Sequence, residues 1–194
     1  MVYVIVGPSG VGKTTIASRI GLPQIISTTS RKMRDGEVDG ETYHFKTPEI
    51  FSQLDFIERV EYAGNHYGLQ TDDVRNAQDS GLDHYVILDR KGAVILKRMF
   101  DDVKIIYLKA TPEELVRFMR KRGDSWEHVV ERLVNIITDK ELDNDDIADL
   151  IIDNTNLAVI ESKIKQFINY KKFCEDFDET YKQIFKEEPP NENS

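Results

Sequence analysis

The segment Gly7-Pro8-Ser9-Gly10-Val11-Gly12-Lys13-Thr14 fits the pattern G-x-x-x-x-G-K-[ST]. It follows an apolar run, Val2-Tyr3-Val4-Ile5-Val6, that reads as a buried strand. It precedes Thr15-Ile16-Ala17-Ser18-Arg19-Ile20, which reads as the first turns of a helix. A strand, a glycine-rich loop and a helix in that order constrain the chain more than any other feature. The glycines let successive backbone N–H groups converge on a phosphate, and the helix N-terminus adds partial positive charge. Lys13 is placed to reach the β- and γ-phosphates of a nucleotide, and Thr14 to ligate Mg²⁺.

Strands alternating with helices continue along the chain. Apolar runs at Tyr85–Leu88, Val103–Leu108 and Leu150–Asp153 read as further strands. Helices are expected over Gly92–Phe100, from Thr111-Pro112-Glu113-Glu114 to the stop at Gly123, over Ser125–Leu142, and from Leu157 to Lys171 or beyond. This pattern predicts an α/β fold with a mostly parallel sheet covered by helices on both faces. Residues 27–80 interrupt it with a β-rich insert. There, Gln24–Thr29 is a candidate strand and Glu49–Leu54 a short helix. Phe56–Tyr62 alternates, with Phe56, Glu58, Val60 and Tyr62 on one face and Ile57 and Arg59 opposing, and Asp72–Ser80 is a helix stopped by Gly81. Residues 111–135 form a charged helical hairpin suited to swing as a lid, with Trp126 as a packing anchor. The core is then discontinuous, over 1–26, 81–110 and 136–168. The remainder, 169–194, is a helical extension on which Tyr170, Phe173, Phe177, Tyr181 and Ile184 recur at helical spacing. It either packs on its own core or associates with a second copy, and it ends in a disordered acidic tip from Glu187.

Composition excludes several classes of function. A net charge of −9 argues against a nucleic-acid partner, which needs a concentrated basic face. The single cysteine, Cys174, excludes an internal disulfide framework and fits a reducing cytoplasm. No run approaches a membrane span, and a first strand starting at residue 2 leaves no room for a removed targeting peptide. The four histidines are scattered without metal-ligand spacing. A soluble cytoplasmic protein, monomer or homodimer, is expected.

Two further groups of residues bear on chemistry. Asp89 sits where an apolar strand ends, a position from which a carboxylate reaches a metal, its waters or a substrate hydroxyl. In the polar segment 27–45, Arg31 and Arg34 are candidates to clamp a second phosphate with bidentate hydrogen bonds, and Tyr43 is a candidate donor to it.

Taken together these motifs resemble the guanylate kinase family. The shared features are the Ser/Thr run Ser27–Ser30, two arginines three apart, Gly36-Glu37-Val38-Asp39-Gly40, and Tyr43 shortly before Phe45. Phe56-Ile57-Glu58, Gly64-Asn65-His66-Tyr67-Gly68, Asp89-Arg90-Lys91-Gly92-Ala93, Arg120-Lys121-Arg122-Gly123 with Glu131-Arg132-Leu133, and Ile152-Asp153-Asn154 follow in the family's order. The resemblance covers about residues 2–168. It implies a phosphate-loop NTPase fold with a nucleoside monophosphate-binding insert at 27–80 and a lid at 111–135. It implies ATP-dependent phosphorylation of GMP or dGMP with Mg²⁺. By the same resemblance ATP is held by Gly7, Pro8, Ser9, Gly10, Val11, Gly12, Lys13, Thr14, Thr15 and Asn154. GMP is held by Ser27, Arg31, Arg34, Tyr43, Glu58, Tyr67 and Asp89, with Glu58 accepting from guanine N1–H and the 2-amino group. The metal falls to Thr14 and Asp89. Charge on the transferred group falls to Lys13, Arg31, Arg122 and Arg132.

The sequence departs from the family's pattern in three places. Leu69 stands where a Ser or Thr hydroxyl usually contacts guanine O6, a loss of about 0.5–1.5 kcal/mol unless Gln70 or water replaces it. Ile87 stands where a second aspartate usually precedes Asp89. The segment before Ser27 is several residues shorter. A kinase for another nucleotide or a sugar phosphate is therefore an alternative, and so is a non-catalytic binding module, although the latter typically has a degraded phosphate loop. Glu58 favours guanine, because a buried carboxylate would repel the N1 lone pair of adenine.

Overall fold

The computed structural model describes residues 1–62, 64–153 and 156–185. The chain divides into two compact units, 1–154 and 155–194. In the first unit the elements run β1 (Val2–Val6), α1 (Lys13–Ala17), β2 (Thr28–Thr29), β3 (His44–Phe45), α2 (Pro48–Gln53), β4 (Phe56–Tyr62), β5 (Asn65–Gln70) and α3 (Thr71–Asp79). They continue with β6 (His84–Ile87), α4 (Arg90–Met99), β7 (Val103–Lys109), α5 (Pro112–Arg122), α6 (Trp126–Thr138) and β8 (Leu150–Asp153).

One sheet has the order β6-β1-β7-β8, and every pairing in it is parallel. Both faces are covered. Val2, Val4 and Val6 of β1 join one core cluster with Val74 and Ala77 of α3 and Ala93 and Leu96 of α4. Tyr3 and Ile5, which alternate to the other face, are equally buried. A run buried on both faces is apolar throughout, which is why β1 and β7 read so clearly in the sequence. The second sheet, β3-β2-β5-β4, is mixed: β2 and β3 pair parallel, whereas β5 is antiparallel to both β2 and β4.

Five local expectations change. The strand before the insert reduces to Thr28–Thr29, with Gln24 making only an isolated bridge to Tyr85. In β4 the register shifts between Phe56 and Glu58, so simple alternation fails. Phe56 stacks on Phe51 and lies 5.0 Å under the Arg59 guanidinium, while Ile57 joins the core. Helix α4 starts at Arg90 rather than Gly92, because the Asp89 carboxylate caps it by accepting from Gly92 N–H at 2.8 Å. Helix α6 ends at Thr138 instead of Leu142, and Lys140 follows in the left-handed region at φ 53°. The capping box at Thr111 and Glu114 and the left-handed stop at Gly123 bound α5 as read from the sequence. Trp126, however, is more than half exposed and stacks under Arg120 at 5.0 Å, so it is no packing anchor.

The second unit contains α7 (Leu157–Phe185). Tyr170, Phe173 and Phe177 are more than half exposed, contrary to core packing, and the Phe173 and Phe177 rings stack at 6.5 Å. The tip from Glu187 lies outside the described residues, as do the side chains of Tyr181 and Ile184. No helix among the described residues is long and apolar enough to cross a membrane.

Candidate active site

After β1 the chain turns through Gly7, Gly10 and Gly12, all at positive φ, into α1. At Gly7 the requirement is strict: φ is 148°, and a Cβ there would sit 2.6 Å from the backbone oxygen of Leu108. Lys13 curls back over this loop, its Nζ donating to Gly7 O at 2.6 Å and Pro8 O at 3.2 Å. Burial lowers the Lys13 pKa, and the negative charge of Glu141 partly offsets that. The Ser9 N–H donates to Glu141 Oε2 at 2.5 Å, and Arg132 of α6 donates to Ser9 Oγ at 3.2 Å. From α5, Met119 is packed closely enough that a Cβ on Gly10 would meet it at 3.2 Å.

The mixed sheet brings a second cluster together. Arg31 is buried, and its guanidinium grips Glu37 through Nη1 at 2.9 Å and Nη2 at 2.7 Å. It also lies 5.7 Å over the Tyr43 ring and 5.5 Å over Phe45. Tyr43 and Tyr67 meet edge to face at 5.8 Å. Glu37 raises the Arg31 pKa further, while Arg31 and then the Arg34 N–H hold Glu37 down at about 2. Burial, followed by Tyr67, pushes the Tyr43 phenol up. The Arg34 side chain is exposed.

Glu58 on β4 lies against the start of α4. A Cβ on Gly92 would be 2.4 Å from its Oε1. Its Oε2 is buried without a hydrogen-bond partner. Burial and the neighbouring Asp89 carboxylate push Glu58 up to about 8, so at neutral pH the group is mostly protonated.

A cavity of about 1020 Å³ joins these parts. The loop contributes Gly7, Ser9 and Lys13, the mixed sheet Glu58 and Tyr67, the residues just before β2 and β3 Ser27 and Tyr43, and the end of β6 Ile87 and Asp89. Leu69 also lines it while remaining almost completely buried. The Gln70 amide nitrogen is committed to Thr28 Oγ1 at 2.7 Å and Asp73 at 3.3 Å, so Gln70 does not supply the donor that Leu69 lacks. Pro8, Gly10, Val11, Gly12, Thr14, Thr15, Arg31, Arg34, Arg122 and Arg132 are not in the lining. Arg122 is instead paired with Asp124, its Nε donating at 3.0 Å. Asn154 lies outside the described residues. The lining also includes Arg90, Glu141 and Asn144, which the sequence reading did not assign to the site.

Thr14 and Asp89 offer hydroxyl and carboxylate oxygens. This donor set suits Mg²⁺, which takes few protein ligands and completes its shell with water and phosphate oxygens. One Asp89 oxygen already caps α4, and the charge of Asp89 acts unfavourably on Glu58, which a cation would offset. The donor chemistry fits such an ion, with Asp89 lining the cavity and Thr14 at the start of α1 outside the lining.

A family model described as guanylate kinase matches residues 1–171. A guanylate kinase from Fusobacterium nucleatum is 34% identical over 181 residues, covering 84% of this chain and 97% of that protein. Among solved structures, a guanylate kinase from Anaplasma phagocytophilum superposes with a TM-score of 0.64. It is 22% identical, over 88% of this chain and 85% of that one, a likeness of fold.

Proposed function

The chain belongs to the guanylate kinase family, and we propose that it transfers the γ-phosphoryl group of ATP to GMP or dGMP inside the cavity that Lys13 and Glu58 share. The observation that carries this reading is the placement of a phosphate loop and the buried end of the Glu58 carboxyl group in one cavity. The loop suits the donor phosphates. The carboxylate suits a base with two adjacent donors, which guanine has at N1 and N2.

In this reading a GMP phosphate oxygen attacks the γ-phosphorus of ATP in line. The bond from that phosphorus to the β–γ bridging oxygen breaks, and ADP and GDP form. Such a reaction needs positioning and charge stabilisation more than a protein nucleophile. The backbone from Gly7 to Thr15 holds the ATP phosphates, with Asn154 on the ATP side. Lys13 leaves the Gly7 and Pro8 carbonyls to meet the transferred group, as do Arg132, already bonded to Ser9, and Arg122. Arg31, Arg34, Tyr43 and Tyr67 hold the GMP phosphate. Arg31 is pre-set for this by Glu37, which fixes its guanidinium plane. Ser27 donates to guanine O6, and Glu58, on losing its proton, accepts from N1–H and N2–H. Thr14 and Asp89 would hold Mg²⁺, which when bound neutralises charge on the phosphates. Residues 111–135 act as a lid over the insert 27–80 and exclude water, so that ATP is not simply hydrolysed. The enzyme acts on small-molecule nucleotides in the cytoplasm, as a monomer or homodimer.

Glu58→Gln tests the assignment. It should raise the KM for GMP about ten- to hundred-fold, the value of a charged hydrogen bond, and leave ATP affinity in place. An unchanged KM for GMP removes Glu58 from base recognition.

A further inference from the structure

The phosphate loop already holds an anion of its own. Glu141 lies 132 residues from Ser9 in sequence, yet its Oε2 accepts from the Ser9 N–H at 2.5 Å. Its charge also acts on Lys13. A carboxylate oxygen thus takes a backbone N–H of the phosphate loop.

The backbone bearing this carboxylate is tightly held. Arg90 forms a fork with Asp146 at 2.6 and 2.7 Å and donates to Asp143 O at 2.5 Å. The Tyr107 hydroxyl donates to Leu142 O at 2.8 Å, and Asn144 Nδ2 donates to Glu141 O at 2.8 Å. Lys109 pairs with Asp145 at 2.6 Å. Before Glu141, Lys140 is the one non-glycine residue with positive φ among the described residues. That conformation turns the chain off α6, and the Glu141 N–H closes the helix on Ile136 O at 3.0 Å. With the backbone pinned, departure of the carboxylate from the loop falls to the Glu141 side chain.

We propose that Glu141 is a built-in competitor for the phosphate loop, displaced when a nucleoside triphosphate binds. This rests on the reading of the loop as the ATP site. The affinity of any ligand that needs the loop falls by the fraction of molecules in which Glu141 has vacated it. That fraction is the same for ATP and for inorganic pyrophosphate. Pyrophosphate makes fewer contacts elsewhere, so the same penalty leaves it a poor ligand while ATP still binds. GMP, which does not need the loop, carries no such penalty.

The test is calorimetric titration of wild type, Glu141→Gln and Glu141→Ala with ATP, pyrophosphate and GMP. Thermal melting checks that each variant is folded. Both variants should bind ATP and pyrophosphate more tightly by a common factor of about ten, with GMP affinity unchanged. Equal or weaker ATP binding in the folded variants overturns the proposal and leaves the ATP site standing. An equal gain for GMP also overturns it, since the effect would then be one of general charge. Absence of ATP binding in all three proteins removes the ATP-site reading and the proposal with it.

Discussion

The Glu58 carboxylate occupies the space that a side chain on Gly92 would fill, 2.4 Å from the position of a Cβ there. The clash is with the end of a flexible side chain, so Gly92→Ala should shift Glu58 and leave the fold intact. A displacement of about 1 Å at a positioning group costs up to ~100-fold. We expect KM for GMP to rise at least about ten-fold, with ATP affinity and melting temperature nearly unchanged. Steady-state kinetics and a thermal melt check this.

Glu58 also predicts a proton released on GMP binding. Its pKa stands at about 8 in the protein, above the ordinary carboxylate value of 4.5, because of burial and Asp89. Guanine N1–H and N2–H favour the ionised form, so the pKa falls in the complex. GMP affinity should therefore strengthen as pH rises towards 8, and binding near pH 7.5 should release most of a proton. Folding responds with the opposite sign: a raised carboxylate pKa lowers stability progressively as pH rises from 4.5 to about 8. Titration calorimetry in buffers of different ionisation enthalpy measures the released proton. Glu58→Gln should abolish it.

Lys13 now bonds two loop carbonyls and in the reaction must stabilise developing charge. Lys13→Ala should lower kcat by about 100- to 1000-fold, the usual cost of one preorganised transition-state donor. Kinetics at saturating ATP and GMP would show it. A loss of only a few-fold would place the main charge stabilisation elsewhere.

The parts of this molecule legible in the sequence are those specified locally. The phosphate loop follows from glycine spacing, β1 and β7 from runs buried on both faces, and α5 from its capping box and Gly123. Other features depend on partners far along the chain. The shift in β4 between Phe56 and Glu58 carries no Gly or Pro signal within the strand, which packs on α4. Lys140 ends α6 in a conformation usually given to Gly or Asn, so the helix reads as longer. Glu141 and Asn144 come to the cavity on the segment after α6, which is tied to Arg90 of α4 and to β7. Asp89 did have a local signal, a capping residue directly before a helix, which the reading as a strand-end carboxylate passed over.

The central claim is that this cavity phosphorylates a guanine nucleotide. It is tested most directly by ADP formation from Mg·ATP with GMP, dGMP, AMP, CMP, UMP, dTMP or no acceptor. Rapid turnover confined to GMP and dGMP is the predicted result, and it would show that Leu69 and Ile87 are compatible with guanine. Preferred turnover of another acceptor, or none with any, would contradict the account.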